Sequence, residues 1–133
     1  MDKPKTLVII TSYNRPHSLD LLATNLILQD CDVVVFDDAS DKKFVVDMLS
    51  NENIKVIRSG THRGKAGFWQ TYNDIFAYCK EHDYDYYIIL PDDVEPCPDF
   101  VSKAIASYDK AGCICLSPLL TNRSLLPGIS RWV

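Results

Sequence analysis

The segment Tyr86-Tyr87-Ile88-Ile89-Leu90-Pro91-Asp92-Asp93-Val94-Glu95-Pro96 runs an apolar stretch straight into two adjacent carboxylates. Asp92 and Asp93 offer the hard oxygen donors that Mn²⁺ or Mg²⁺ prefers, and such a cation readily bridges diphosphate oxygens. A second acidic cluster, Asp37-Asp38-Ala39-Ser40-Asp41, follows the apolar run Val33–Phe36. There Asp37 or Asp38 can accept from a base N–H or a ribose hydroxyl. In Thr11-Ser12-Tyr13-Asn14-Arg15, Tyr13 supplies an aromatic face for a base. Arg63 and Lys65 flank Gly64 and combine positive charge with backbone donors for a phosphate. Taken singly, each cluster also reads as an ordinary turn, because Asp, Asn, Ser and Gly are turn formers.

The elements that must position these residues alternate along the chain. Thr6–Thr11 reads as a buried strand. Leu19, Leu22, Ala23, Leu26 and Ile27 follow the spacing of an amphipathic helix, with Ser18 as its expected N-cap. Val33–Phe36 is a second strand, and a short helix is expected around residues 43–49. Ile54–Ile57 is a third strand, followed by a loop from Ser59 to Gly64. From Lys65 a longer helix is expected to turn Phe68 or Trp69, Tyr72, Ile75, Phe76 and Cys79 inward, with Phe68 and Trp69 in the core. Tyr86–Leu90 reads as a central strand. Pro98 is suited to open a helix whose inward face is Phe100, Val101, Ala104, Ile105 and Tyr108. Residues 113–117 form the last expected strand.

Strands of near-continuous apolar residues alternating with helices predict an α/β fold, a mostly parallel sheet with helices on both faces. Ligands of such sheets bind outside the carboxyl ends of the strands. All four polar clusters fall at predicted strand ends.

The chain has 133 residues, 47% hydrophobic and 24% charged, a composition that predicts a single globular domain. Its net charge of -4 lacks the basic footprint of a general nucleic-acid binder. No apolar run approaches the roughly 20 residues of a membrane span, and no secretory leader is legible, so a cytoplasmic location is expected. Cys31, Cys79, Cys97, Cys113 and Cys115 are odd in number and scattered, which predicts reduced, buried thiols rather than a disulfide framework or a metal site at Cys97, Cys113 and Cys115. His17, His62 and His82 read as loop or surface residues without a role. No glycine-rich phosphate loop follows the first strand, which disfavours dinucleotide dehydrogenases and P-loop enzymes. A receiver-like signalling domain would carry its acid pair after the first strand, where this chain has Thr-Ser-Tyr-Asn.

Together, TLVIITSYNRPHSL, DVVVFDDASD, HRGKAG and YYIILPDDVEPCPDFV resemble, in order and spacing, the N-terminal nucleotide-sugar-binding half of family 2 glycosyltransferases. The resemblance covers roughly residues 5–120. It implies a Rossmann-like GT-A three-layer fold and transfer of a sugar from a nucleoside-diphosphate donor, UDP-linked by expectation, to a hydroxyl on a glycan, lipid or other acceptor. It places Thr11 and Tyr13 at the base, with Asn14 and Arg15 in the same donor site. By the same likeness Asp38 contacts the base, Arg63 or Lys65 forms the basic region, and Asp92 lies near the ribose. Asp93 would coordinate Mn²⁺ or Mg²⁺ on the diphosphate. Pro91 departs from the family pattern, which commonly carries a third acid there.

Inverting members use a carboxylate base beyond the last strand. No residue of this chain matches it, and Glu95 and Asp99 are not where the likeness would put a base. The expectation is therefore a single truncated donor-binding domain over residues 1–133, admitting a homo-oligomer or a partner chain. A non-catalytic nucleotide-sugar-binding module is the alternative.

Overall fold

The computed structural model describes residues 3–41 and 54–112, together with the strands Leu120–Thr121 and Ser130–Trp132. Strand β1 (Thr6–Ser12) leads through helix α1 (Pro16–Ile27) to β2 (Asp32–Asp37), and β3 (Ile54–Arg58) precedes helix α2 (Phe68–Lys80). Then come β4 (Tyr86–Pro91), β5 (Val94–Pro96), helix α3 (Phe100–Ala111) and the short strands β6 (Leu120–Thr121) and β7 (Ser130–Trp132). The first four strands form one parallel sheet in the order β3-β2-β1-β4.

Alternation along the strands separates two apolar layers. Val8, Ile10, Val33, Val35 and Leu90 pack with Leu19, Leu22 and Leu26 of α1 and with Phe100 and Val101 of α3. Leu7, Ile9, Val34 and Phe36 face the opposite way, onto Ile75 of α2. The expected α/β architecture, a parallel sheet between helices, is the one observed. Burying each side chain of this size contributes roughly 1.5–3 kcal/mol, so the twofold apolar face of β1 and β2 fixes these strands at the centre.

The elements differ from expectation in several places. Helix α1 begins at Pro16, with Arg15 as N-cap, so Ser18 lies inside the first turn. Proline's fixed φ and missing N–H suit that position without a side-chain cap. Helix α2 begins at Phe68 rather than Lys65 because residues 64–67 form a turn, with the Gly67 N–H donating to the Arg63 carbonyl at 3.1 Å. Its buried residues are Thr71 and Ile75, while Phe68, Trp69 and Phe76 are 46%, 62% and 52% exposed. The stripe that meets the sheet is rotated away from the aromatic one. Phe68 and Phe76 pack on Tyr72 instead, with ring centroids 4.7 Å and 6.0 Å apart.

Among the described residues, β4 pairs with β1 at one end of the sheet order, and within it only Leu90 is buried. Helix α3 opens at Phe100, two residues after Pro98. The sheet β5-β7-β6 was not expected, because strands of two or three residues carry no readable period. The helix expected around 43–49 and the strand at 113–117, with Cys113 and Cys115, lie outside the described residues. Cys31, Cys79 and Cys97 are free and half-buried. Burial pushes the Cys31 thiol up to about 11, helped by the negative charges of Asp32 and Asp30.

Candidate functional site

Parallel register brings the polar clusters to one edge of the sheet. Thr11 lies opposite Phe36 and Pro91, Ser12 opposite Asp37, and Asp37 opposite Arg58. The loops leaving β1, β2, β3 and β4 therefore start side by side.

Asp92 ties the end of β4 to the end of β1. Its Oδ2 accepts from the Ser12 hydroxyl at 3.1 Å and from the Tyr13 N–H at 3.2 Å. Its Oδ1 accepts from Arg15 Nη1 at 3.2 Å. The residue is buried, and that burial raises its carboxyl above the ordinary carboxylate range. The Tyr13 and Ser12 hydrogen bonds and the Arg15 charge pull it down, without cancelling the effect. Asp93 follows directly but turns outward, its side chain 31% exposed, with Oδ2 3.1 Å from the same Arg15 Nη1. One guanidinium nitrogen thus bridges both carboxylates.

Asp37 and Asp38 separate in the same way. The Asp37 side chain is fully buried and accepts from the Ser40 N–H at 3.0 Å, from the Ser40 hydroxyl, and faces Arg58 Nε at 3.6 Å. Arg58 also donates to the Ser40 carbonyl. These contacts close a tight turn in which Ala39 takes φ 58°, and the Asn14 N–H donates to Ser40 Oγ at 2.8 Å. Asn14 Oδ1 in turn accepts from the Asp41 N–H at 2.8 Å, pinning the loop after β1 to the loop after β2.

Asp38 organises the third loop. Its Oδ1 accepts from the Arg63 N–H at 2.9 Å and its Oδ2 from the Gly64 N–H at 3.0 Å. Gly64 has φ +61°, a conformation that costs glycine little and other residues more. Gly67 sits so close that a Cβ there would lie 2.7 Å from Arg63 Cβ. His62 Nδ1 stands 2.9 Å from Asp38 Oδ2, and the His62 ring stacks on Tyr13 with centroids 3.8 Å apart.

The structure thus brings Thr11, Tyr13, Asn14, Arg15, Asp38, Arg63, Asp92 and Asp93 to one end of the sheet. The Arg63 guanidinium is drawn aside by Asp74, 2.6 Å away on α2. Lys65 is exposed in the turn before α2. The Arg63 and Gly64 backbone donors, expected to serve phosphate, are used by Asp38. Sequence reasoning passed over Ser12, Ser40, Arg58 and His62. Serine and arginine at turns carry no distinguishing pattern, but His62, one residue before the Arg63-Gly64-Lys65 cluster, was placed closely enough to be included.

Among the described residues, no group of three or more metal-ligating side chains forms. A cage made by protein alone is not what a nucleotide-bound cation requires, since Mg²⁺-type sites use one or two carboxylates completed by phosphate and water. Asp93 fits that role as an outward-facing hard donor, and Asp92 flanks it with its oxygens already engaged.

A family model described as glycosyl transferase family 2 matches residues 7–128, nearly the whole chain. The chain belongs to glycosyl transferase family 2. No curated protein matches it significantly. Family membership supports a glycosyltransferase in general, with a nucleotide-sugar donor and an acceptor as its substrates. The open parallel sheet flanked by helices agrees with the Rossmann-like GT-A fold expected from the sequence. Among the described residues, no helix is long and apolar enough to cross a membrane.

Proposed function

We propose that this family 2 glycosyltransferase transfers a sugar from a UDP-sugar to an acceptor hydroxyl, with Mn²⁺ or Mg²⁺ and with inversion at the anomeric carbon. One observation carries the reading: the buried Asp92 fixes the Tyr13 backbone and draws the Arg15 guanidinium to the side of Asp93. An aromatic ring for a base, a cation for a diphosphate and a hard carboxylate are thereby held at the carboxyl ends of neighbouring strands.

In this reading the base stacks on Tyr13 once the His62 ring yields its place, and Thr11 and Asn14 line the same edge. Asp38 shapes the loop that carries Arg63 and Lys65, and in this reading the part of its carboxylate left in solvent accepts from a base N–H. Arg15 and Lys65 supply positive charge to the diphosphate, and Asp93 is the residue that would hold the cation. A bound Mn²⁺ or Mg²⁺ would neutralise the charge developing on the departing diphosphate. The sugar's anomeric carbon gains its bond to the acceptor oxygen as the bond to the diphosphate oxygen breaks. No described residue is assigned to take the acceptor proton, so residues 1–133 are proposed as the donor-binding unit. The free thiols of Cys31, Cys79 and Cys97 suit a reducing compartment, which supports a cytoplasmic location.

Isothermal titration with UDP and other nucleoside diphosphates, with and without Mn²⁺, tests binding, and sugar release from the donor tests turnover. UDP binding lost in Tyr13→Ala is the expected result. Absence of binding to any nucleoside diphosphate overturns the proposal. Binding without sugar release leaves a nucleotide-sugar-binding module in its place.

A further inference from the structure

The position between Asp92 and Asp93 is already held by a cation, and that cation belongs to the protein. Arg15 Nη1 lies 3.2 Å from Asp92 Oδ1 and 3.1 Å from Asp93 Oδ2. The three groups differ in freedom. Asp92 is buried, and its other oxygen is fixed by Ser12 and Tyr13, so it cannot turn to follow a new partner. Asp93 is partly exposed, and the Arg15 side chain is 55% exposed. Arg15 is the N-cap of α1, with its carbonyl accepting from the Leu19 N–H at 3.0 Å. Its backbone is therefore fixed while its long side chain can swing.

We propose that Arg15 is the resident counter-cation of this acid pair, and that a divalent cation reaches Asp93 only as the guanidinium leaves it. The inference rests on reading Asp93 as the cation-facing carboxylate. A guanidinium and a divalent ion cannot share Asp93 Oδ2 without strong like-charge repulsion at close range. A diphosphate resolves the conflict, because phosphate oxygens accept the planar donor fork of arginine at least as well as carboxylates do. Arg15 then passes from carboxylate to phosphate as the cation arrives. Cation and nucleotide bind the protein more tightly together than apart, and Arg15 is the element that couples them.

The test is Mn²⁺ binding to the full chain without nucleotide, followed by the electron paramagnetic resonance signal of free Mn²⁺. Arg15→Ala is expected to bind Mn²⁺ about tenfold more tightly than the parent chain, a coupling of ordinary size. Arg15→Lys, which keeps the charge and loses the fork, should fall between them. Adding Asp93→Asn to Arg15→Ala should abolish the gain. Circular dichroism confirms that each variant is folded. Equal Mn²⁺ affinity in the parent and in Arg15→Ala, with Asp93→Asn weakening both, overturns the role of Arg15 and leaves Asp93 as the cation ligand. Affinity indifferent to Asp93→Asn overturns the placement of the cation itself, and the Arg15 inference with it.

Discussion

Asp38→Ala separates two roles for one carboxylate. The sequence resemblance gives Asp38 to the base, whereas its oxygens accept from the Arg63 and Gly64 N–H groups at 2.9 Å and 3.0 Å. Hydrogen bonds to a charged acceptor contribute about 1.5–3 kcal/mol each. Asp38 keeps 17% of its side chain in solvent, so the lower end applies. The two bonds together then stabilise the closed loop by about 3 kcal/mol, or roughly a hundredfold in its opening equilibrium. Amide hydrogen exchange read by NMR should therefore accelerate about a hundredfold at Arg63 and Gly64 in Asp38→Ala, while the Val34 amide in β2 keeps its protection. Asp38→Asn retains one acceptor oxygen and should show about half that loss in free energy. Nucleotide titration completes the assay. A loop clamp weakens all nucleoside diphosphates alike, whereas a base contact weakens UDP and spares the others. Unchanged exchange at Arg63 and Gly64, with a selective loss of UDP, would refute the clamp.

Thr6 Oγ1 is buried without a hydrogen-bond partner, so Thr6→Val should raise stability by about 1 kcal/mol in urea unfolding. A loss of stability would show that the hydroxyl has a partner. The folded Cys31 thiol stays protonated up to about 11 while the unfolded thiol ionises near 9.0, so the native state binds more protons between these values and stability must fall as pH rises through them. Allowing for partial exposure, the fall is about 1–2 kcal/mol, and Cys31→Ala should flatten that stretch of the stability–pH curve. His62→Ala removes a ring stacked on Tyr13 and should tighten UDP binding about threefold, given the modest strength of one aromatic pair. Weaker binding would instead make His62 part of the base pocket.

How far the sequence reached depended on the length of each signal. Four consecutive apolar residues in β1, Leu7 to Ile10, and the spacing of Leu19, Leu22 and Leu26 leave few alternatives for a strand and its helix. The rule that polar loops gather at strand ends picked out the candidate site, and the register sets Ser12, Asp37 and Arg58 abreast. Short signals failed. The start of α2 turned on a Gly64–Gly67 turn that a helical period cannot register. Phe68 and Trp69 satisfied the same period as Ile75, yet lie on a stripe turned away from the sheet. An aromatic residue on a helix declares apolarity; which way it faces is decided by the neighbouring layer.

The two acid pairs show what composition cannot encode. Asp37-Asp38 and Asp92-Asp93 each place identical residues side by side at the end of a strand, where successive side chains point to opposite sides. One member of each pair is consequently driven inward and must find donors there: Ser40 and Arg58 for Asp37, Ser12, Tyr13 and Arg15 for Asp92. The other member is left at the rim, Asp38 gathering the loop after β3 and Asp93 facing outward beside Arg15. The buried carboxylates hold one loop to the next, Asp38 does the same for the loop after β3, and Asp93 keeps an edge in solvent. Of the two doublets, Asp92-Asp93 couples a structural acid to a presented one, whereas both members of Asp37-Asp38 hold loops. The order within each doublet follows from the register: Ser12 lies opposite Asp37, and Thr11 opposite Pro91 sets Asp92 level with Ser12, so the first acid of each doublet is the buried one.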